Sequence, residues 1–205
     1  NERIQFKTKI IDFEAIKEKI ANMTTDTYVG ESACYRAAKN IEDRIKIRHE
    51  NGNSFQESEL KGVEEYVIEC SILKVAVSED MQNIADDGIQ VFGGMGFSAD
   101  TPMEGAWRDC RIGRIYEGTN EINRMLSVGM LIKKAMKGHI DFINPATAVS
   151  DELMDIPSFD VPDLTELFAQ EKLILKNLKK VFLMLAGAGI KKFGDKLEEH
   201  QLMLM

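Results

Sequence analysis

The stretch Arg114-Ile115-Tyr116-Glu117-Gly118-Thr119-Asn120-Glu121-Ile122 decides the fold, because it separates one helical segment from the next. Gly118 has no Cβ, so the backbone beside Glu117 can bend sharply. Thr119 can cap the free amides of a helix that begins at about Asn120. The pattern therefore predicts a carboxylate on a short irregular turn at the start of a helix.

The chemistry of Glu117 is left open by the residues alone. Burial against Ile115 and Tyr116 would make its carboxylate a better proton acceptor near neutral pH, whereas the helix dipole would favour the charged form. A plainer interpretation is that Glu117 pairs with Arg114 or Arg111 at a helix start, since most charged side chains are solvated or paired. Spacing alone favours this second interpretation.

Outward from this turn, apolar residues recur every three or four positions, which is the spacing of one helix face. The stripes predict helices over about residues 10–49, 57–88 and 120–136, with a short one from Thr101-Pro102 to about Cys110. Lys74 interrupts the second stripe, which should end near Gly88 because glycine suits the left-handed position after a helix. The third should stop at Gly138. Together they predict an all-α, up-and-down helical bundle.

The composition and net charge limit the classes of function that the chain can have. The 205 residues are 44% hydrophobic, enough for a buried core, and carry a net charge of −8. Nucleic acids and anionic membranes need basic patches, so the charge argues against both. The three cysteines, Cys34, Cys70 and Cys110, are far apart and lack a Cys-x-x-Cys pair, which indicates neither a disulfide framework nor a metal site. We expect them, like Trp107, to be buried in the core.

Three motifs occur in a fixed order: residues 89–97 (Ile-Gln-Val-Phe-Gly-Gly-Met-Gly-Phe), Arg108-Asp109, and residues 116–122. In order and spacing they resemble the C-terminal helical domain of the FAD-dependent acyl-CoA dehydrogenases. The resemblance implies that Glu117 is the base that removes the α-proton of an acyl-CoA while the β-hydride passes to the flavin. The product would be a trans-2-enoyl-CoA, as in fatty acid β-oxidation, and Gly118 would lie against the thioester.

The resemblance also implies the cofactor contacts. Gln90, Gly93 and Gly94 would contact the flavin of a partner subunit, and two adjacent glycines let backbone amides approach phosphate oxygens. Thr119 and Glu121 would lie in the turn that touches the flavin, although several relatives carry Gln or Asp where this chain has Glu121.

Near the N-terminus, Arg3-Ile4-Gln5-Phe6 resembles the Arg-x-x-Phe of the same family. There the Arg meets the cofactor's pyrophosphate, to which its planar fork of donors is suited, and the aromatic ring packs near the adenine end in a neighbouring subunit. Lys7 and Lys9 stand where the family commonly has Gly and Pro, so the sequence leaves the backbone path open here.

Residues 94–99 also fit the dinucleotide fingerprint G-x-G-x-x-A. That fingerprint needs a strand before it and a helix after it. A long predicted helix precedes these residues and Asp100-Thr101-Pro102 follows, so we reject this interpretation.

The predicted domain organisation is a bundle over residues 1–137, a proline-containing linker over 138–163, and a helical extension over 164–205 that is cut off at Met205. An extension after the catalytic domain resembles the very-long-chain branch of the family. It could be a further bundle helix or a basic amphipathic helix on a membrane surface. We favour the bundle helix, because acidic residues dilute the basic face.

The resemblance implies FAD as cofactor, acyl-CoA as substrate, an electron-transfer flavoprotein as electron acceptor, and a homo-oligomer, dimer or tetramer, with FAD at the subunit interface. A cytoplasmic location is favoured, or a mitochondrial one in a eukaryote. The family's other two domains are absent from this sequence, so we expect the fragment to be colourless and inactive. Two alternatives remain: a flavin-free helical interaction or assembly module, and a related flavin oxidase.

Overall fold

The fold is described by a computed structural model, which covers residues 3–154 and 165–205. The prediction of an all-α fold is confirmed. In the described part of the chain the α-helices are α1 (Glu14–Glu50), α2 (Phe55–Glu65), α3 (Val67–Phe92), α4 (Gly94–Phe97), α5 (Pro102–Ile112), α6 (Asn120–Met136), α7 (Ile143–Glu152), α8 (Ala169–Phe193) and α9 (Gln201–Leu204), and 3-10 helices cover Ile10–Asp12 and Gly194–Glu199. A short antiparallel hairpin, β1 (Ile4–Gln5) with β2 (Thr8–Lys9), precedes them.

The second predicted helix is in fact two. Its first part, α2, is capped by Ser54, whose hydroxyl accepts a hydrogen bond from the Glu57 amide at 3.2 Å. The helix is then interrupted at Tyr66 (φ −103°, ψ 20°), and α3 continues from there. The prediction of one continuous helix is wrong because apolar periodicity continues across a single non-helical residue.

The predicted end of this helix at Gly88 is also wrong. Gly88 is buried within α3, and a Cβ there would collide with the side chain of Met103 on α5. The helix runs on to Phe92 and ends at Gly93, which has φ +65°. Gly88 therefore permits close packing of two helices, a role that looks the same in sequence as a helix stop.

In the first compact unit, residues 1–127, α3 lies between two antiparallel neighbours. On one side Lys19 of α1 forms an ion pair with Asp87 of α3. On the other, Trp107 of α5 donates from Nε1 to Asp86 Oδ1 at 3.1 Å. Trp107 is 37% exposed, so the expectation that it is a core residue is wrong. The helix directions agree with the predicted up-and-down arrangement.

The second compact unit, residues 128–205, contains the second half of α6 together with α7, α8 and α9. Among the residues of this unit whose burial is described, the buried apolar side chains are Phe142, Val149, Ala169, Leu197 and Leu204. The chain divides between residues 127 and 128, inside α6, whereas the sequence placed a boundary at 137. Helix α7 lies in the predicted linker. The rest of that linker from residue 155, with Pro157 and Pro162, lies outside the described residues, as does residue 164.

The cysteines do not behave as predicted. Cys34 and Cys70 are exposed and Cys110 is half-buried, and all three thiols are free. Partial burial raises the pKa of the Cys70 and Cys110 thiols, with a smaller contribution from Glu69 and Asp109. Among the described residues, no helix has the length and apolar character needed to cross a membrane.

Candidate active site

The predicted turn lies between the end of α5 and the start of α6. Its backbone is tight, because the Ile115 amide donates to the Ile112 carbonyl at 2.9 Å and the Tyr116 amide to the same oxygen at 3.2 Å. Glu117 and Gly118 follow with φ +55° and +83°. Left-handed backbone is common for glycine and uncommon for glutamate, for which it stores conformational energy of about 1 to 2 kcal/mol. Glu117 therefore stands at a strained corner.

The carbonyl of Gly118 holds this corner in place. It accepts hydrogen bonds from Lys74 Nζ at 2.7 Å and from Asn123 Nδ2 at 2.9 Å. A Cβ on Gly118 would lie 3.1 Å from Asn123 Nδ2, closer than side chains normally approach. Glycine is needed here both for the backbone angle and for the space.

Asn120, the first residue of α6, fastens that helix to α3. Its side chain is 2% exposed. Its Oδ1 accepts from Lys74 Nζ at 2.9 Å, and its Nδ2 donates to Ser78 Oγ at 3.0 Å and to Glu79 Oε1 at 3.2 Å. Because a buried amide is costly unless its donors and acceptors are paired, these bonds fix the start of α6 against α3.

Glu79 completes the network. Both of its carboxylate oxygens lie 2.7 Å from Arg124 Nη2 on α6. Burial raises the pKa of Glu79, but the hydrogen bonds from Arg124 and Asn120, with the charges of Arg124 and Arg114, outweigh it and hold the pKa below its usual value. Glu79 is therefore charged at neutral pH.

The start of α6 is capped as predicted. The Ile122 amide donates to Thr119 Oγ1 at 3.4 Å, and α6 begins at Asn120. Glu121 lies exposed in the first turn. Hydrogen bonds from its own backbone amide and from the Thr119 hydroxyl, followed by the charges of Arg114 and Arg124, lower the pKa of Glu121.

The carboxylate of Glu117 is exposed in this chain, and so are its apolar neighbours Ile115 (47%) and Tyr116 (55%). The burial considered from the sequence is thus not provided by these neighbours. Within residues 3–154 and 165–205, neither Arg111 nor Arg114 forms an ion pair with Glu117, so the pairing interpretation is not supported. The described residues hold the backbone of the turn through the Gly118 carbonyl and give the Glu117 carboxylate oxygens no hydrogen-bond or ion-pair partner.

A second left-handed corner lies at the C-terminal end of α3. Gly93 (φ +65°, ψ −145°) ends that helix, and its amide donates to the carbonyls of Ile89 at 2.9 Å and Gln90 at 3.2 Å. Arg3 Nη1 donates to the Phe92 carbonyl at 2.8 Å, and a Cβ on Gly93 would lie 2.7 Å from that nitrogen. The fold thus brings the predicted cofactor residues Arg3 and Gly93 into contact.

This second corner suits an anionic group. Gly94 and Gln90 are exposed, and nothing lies within 4 Å of a Cβ placed on Gly94. Arg3 is also exposed and has further donors beyond the one bonded to the Phe92 carbonyl. A guanidinium beside an open glycine backbone matches the chemistry of a pyrophosphate, so these residues fit the implied FAD. Helix α3, not a strand, precedes them, which agrees with the rejection of the dinucleotide fingerprint.

The hairpin carries Phe6 at its tip. Phe6 and Lys7 both have positive φ (52° and 64°), which is the geometry of a two-residue turn that matches the twist of its strands. The sequence did not predict the backbone path around Lys7 and Lys9, and the structure shows that these residues belong to this hairpin. The Phe6 ring is 89% exposed and is free to contact another surface.

The two corners belong to separate groups. Lys74, beside the Glu117 turn, and Gly93 are roughly 28 Å apart along α3, at a rise of about 1.5 Å per residue. Among the predicted residues, Gly118 and Thr119 share one corner with Glu117, whereas Arg3 and Gly93 share the other.

Sequence reasoning missed the residues that hold the first corner: Lys74, Ser78, Glu79, Asn120, Asn123 and Arg124. One signal was present, since Lys74 interrupts an otherwise apolar stripe and a charged residue there needs a partner. The partner lies more than forty positions away, at Gly118 and Asn120. No described group of three or more His, Cys, Asp or Glu side chains is placed to hold a metal ion.

The fold and site define an all-α domain in which the Glu117 carboxylate, just before a bundle helix, is exposed and has no partner among the described residues. The family model "Acyl-CoA dehydrogenase, C-terminal domain" matches residues 1–130. The chain therefore belongs to the acyl-CoA dehydrogenase family.

Individual relatives agree with this assignment. A crystal structure of an acyl-CoA dehydrogenase complexed with FAD from Bacillus anthracis matches 100% of the chain with a TM-score of 0.87 and 38% identity, and the chain covers 34% of it. A "Probable acyl-CoA dehydrogenase" of Bacillus subtilis (strain 168) is 38% identical over 206 residues, 100% of this chain and 34% of its own length. The mitochondrial very long-chain specific acyl-CoA dehydrogenase of Homo sapiens is 37% identical over 123 residues, 60% of this chain and 16% of its own. The chain thus spans about a third of the length of the two Bacillus relatives.

Proposed function

We propose that the full-length protein is an FAD-dependent acyl-CoA dehydrogenase that converts a fatty acyl-CoA to the trans-2-enoyl-CoA, with Glu117 as the base. The observation that carries this proposal is the Glu117 corner. Its backbone is strained and held by a hydrogen-bond network around the buried Asn120, while its carboxylate oxygens have no partner in the described part of the chain. Strain of this kind is typical of functional residues, because folding stability alone gives no reason to keep it.

In the proposed reaction, one oxygen of the Glu117 carboxylate accepts the α-proton of the thioester. Gly118, with no side chain, lets the thioester lie close to the backbone. When bound, the flavin supplies the acceptor for the β-hydride. Two hydrogens leave the acyl chain, one as a proton and one as a hydride, and a carbon–carbon double bond forms between Cα and Cβ.

The residues at the two corners would serve two cofactors. Thr119 and Glu121 would contact the flavin used by this subunit, and Arg3, Phe6, Gln90, Gly93 and Gly94 would hold the FAD of a neighbouring one. The separation of roughly 28 Å between Lys74 and Gly93 along α3 supports this division, because one chemical group of a ligand cannot contact both corners. It favours a homo-oligomer.

Exposed apolar side chains support the proposal that the Glu117 corner is covered in the full-length protein. Around the Glu117 corner, Ile115, Tyr116 and Ile122 are 47%, 55% and 53% exposed. An apolar rim around a reactive carboxylate favours closure by other parts of the full-length protein, and closure would exclude water from the reaction. The isolated chain should therefore be inactive and bind no FAD tightly; stoichiometric flavin binding by residues 1–205 alone would contradict this.

The test of the base is Glu117→Gln in the full-length protein. Glutamine keeps the size of the side chain and cannot accept the proton, so turnover should fall about 10³-fold or more while flavin absorbance stays unchanged. Glu59→Gln, an exposed residue on α2, is the matched control and should keep wild-type turnover. Wild-type rates in Glu117→Gln would exclude Glu117 as the base.

Two measurements separate the alternatives. A flavin-free assembly module would be purified without visible flavin absorbance. A flavin oxidase would pass its electrons to oxygen, whereas we propose transfer to an electron-transfer flavoprotein. Comparing the rate of oxygen consumption with the rate of reduction of the electron-transfer flavoprotein distinguishes an oxidase from the proposed dehydrogenase.

A further inference from the structure

Lys74 is a charged side chain in the apolar stripe of α3. It is half-buried, and its Nζ lies 2.7 Å from the Gly118 carbonyl oxygen and 2.9 Å from Asn120 Oδ1. Both acceptors belong to the segment that carries Glu117. A hydrogen bond with a charged donor is stronger than one between neutral groups, so the ammonium is the stronger of the two donors on that carbonyl.

A hydrogen bond to the Gly118 carbonyl acts directly on the strained backbone of the corner. This carbonyl follows two consecutive residues with positive φ, and Glu117 does not hold that backbone conformation by its own preference. Any rotation of the peptide plane after Gly118 changes the backbone angles of the corner, and with them the direction of the Glu117 side chain. Asn123 Nδ2 donates to the same oxygen at 2.9 Å from within α6, whereas Lys74 ties that oxygen to another helix.

Asn120 controls where the ammonium lies. Its Oδ1 accepts from Lys74, and its Nδ2 is fixed by Ser78 and Glu79. Because Asn120 is almost fully buried, this amide cannot turn without breaking several bonds. The lysine is thus directed at the Gly118 carbonyl by a rigid neighbour.

We propose that Lys74 is a positioning residue for the reaction: its ammonium fixes the Glu117–Gly118 corner so that the carboxylate meets the α-carbon of the acyl-CoA. The proposal rests on the proposed role of Glu117 as base. It predicts that loss of Lys74 slows proton removal without weakening substrate binding, since displacement of a catalytic group by about 1 Å can slow a reaction about 100-fold.

The experiment uses the full-length flavin-containing enzyme and its Lys74→Met variant, mixed rapidly with acyl-CoA under anaerobic conditions. The limiting rate of flavin bleaching per bound flavin reports proton and hydride removal, and its dependence on acyl-CoA concentration reports substrate affinity. Lys74→Met should lower the limiting rate about 10- to 100-fold and leave the apparent affinity within about threefold. Lys74→Arg keeps a charged donor and should recover part of the rate.

Lys19→Met is the matched control. Lys19 also joins two helices, through its ion pair with Asp87, but lies away from the Glu117 corner. Its loss should leave the limiting rate per flavin unchanged. Asn123→Ala removes the other donor to the Gly118 carbonyl, and it should slow bleaching less than Lys74→Met does.

The outcomes separate this proposal from the one it rests on. If Glu117→Gln bleaches at the wild-type rate, the assignment of the base fails and the positioning role fails with it. If Glu117→Gln is inactive while Lys74→Met bleaches at the wild-type rate per flavin, only the role of Lys74 is overturned. Should Lys74→Met not retain flavin, the same comparison with Lys74→Gln decides, because glutamine keeps a neutral donor of similar reach.

Discussion

The two left-handed corners, one beside Lys74 of α3 and the other at the C-terminal end of α3, are built differently. At Gly93, one exposed arginine from the N-terminal hairpin region contacts the backbone, and Gly94 beside it is open. At Glu117–Gly118, three polar groups from α3 and two amides from α6 converge, with Asn120 2% exposed. The difference indicates two roles. Under the proposed function, the corner that would hold the base is fixed by several hydrogen bonds around a buried asparagine, whereas the corner that would receive the cofactor keeps donors of Arg3 free.

The largest expected effect on stability is at Asn120, the buried residue beside the Glu117–Gly118 corner. Asn120→Ala removes the partner of Lys74, Ser78 and Glu79 and leaves charged groups part-buried without it, so the free energy of unfolding should fall by about 3 kcal/mol. Arg3→Ala removes one exposed bond and should lower it by less than about 1 kcal/mol. Urea unfolding of the two full-length variants measures the contrast. Equal losses would show that the corners are held alike.

Gly118→Ala should have the next largest effect. Alanine at position 118 must adopt φ +83°, and its Cβ would lie 3.1 Å from Asn123 Nδ2. The free energy of unfolding should therefore fall by about 2 kcal/mol, and turnover should fall with it. Gly129→Ala, in the interior of α6 with nothing within 4 Å, is the control and should raise stability by about 0.5 to 1 kcal/mol. The two midpoints of thermal unfolding should therefore move in opposite directions. A stable, fully active Gly118→Ala would remove the need for glycine at this corner.

Gly93→Ala tests the open corner. The alanine must hold φ +65° with ψ −145°, a conformation used almost only by glycine, whereas the Arg3 side chain can move aside. We expect a loss of about 1 to 2 kcal/mol. Gly94→Ala meets no neighbour and should change the stability of the flavin-free protein by less than about 0.5 kcal/mol while weakening FAD binding. Unfolding of the flavin-free protein and a flavin titration report the two effects separately; unchanged flavin affinity in Gly94→Ala would argue against the proposed contact.

The smallest expected effect is the pH dependence contributed by Glu79. Its folded-state pKa lies below the ordinary value of 4.5, so the stability it provides is fully present above about pH 4.5 and is lost as the pH falls through the folded-state pKa. Wild-type protein and Glu79→Gln should differ at neutral pH by about 1 kcal/mol or less, since the pair with Arg124 is partly exposed. That difference should shrink as the pH is lowered below about 4.5. A difference that grows on acidification would reverse the sign of this prediction.

Much of the local structure could be predicted from particular residues. Thr119 marks the start of α6 and Pro102 the start of α5, because caps and helix-starting prolines act on their own backbone. Gly138, with φ +70°, follows the end of α6 as expected. Gly88 was misassigned, since a glycine that admits Met103 of another helix carries the same letter as one that ends a helix.

Burial was predicted less well. Cys34, Cys70 and Trp107 were expected in the core and are exposed or nearly so. Periodicity indicates which face of a helix is apolar, but it does not indicate what covers that face.

The sequence by itself determined the family, the all-α class and the residue proposed as the base, because motif order, apolar spacing and helix caps are properties of neighbouring positions. Only the tertiary structure decided that Lys74 meets the Gly118 carbonyl, that Asn120 is buried between α3 and α6, and that Arg3 lies against Gly93. These contacts join residues more than forty positions apart. They depend on how helices are placed in space, and a single sequence contains no distance between segments that are far apart along the chain.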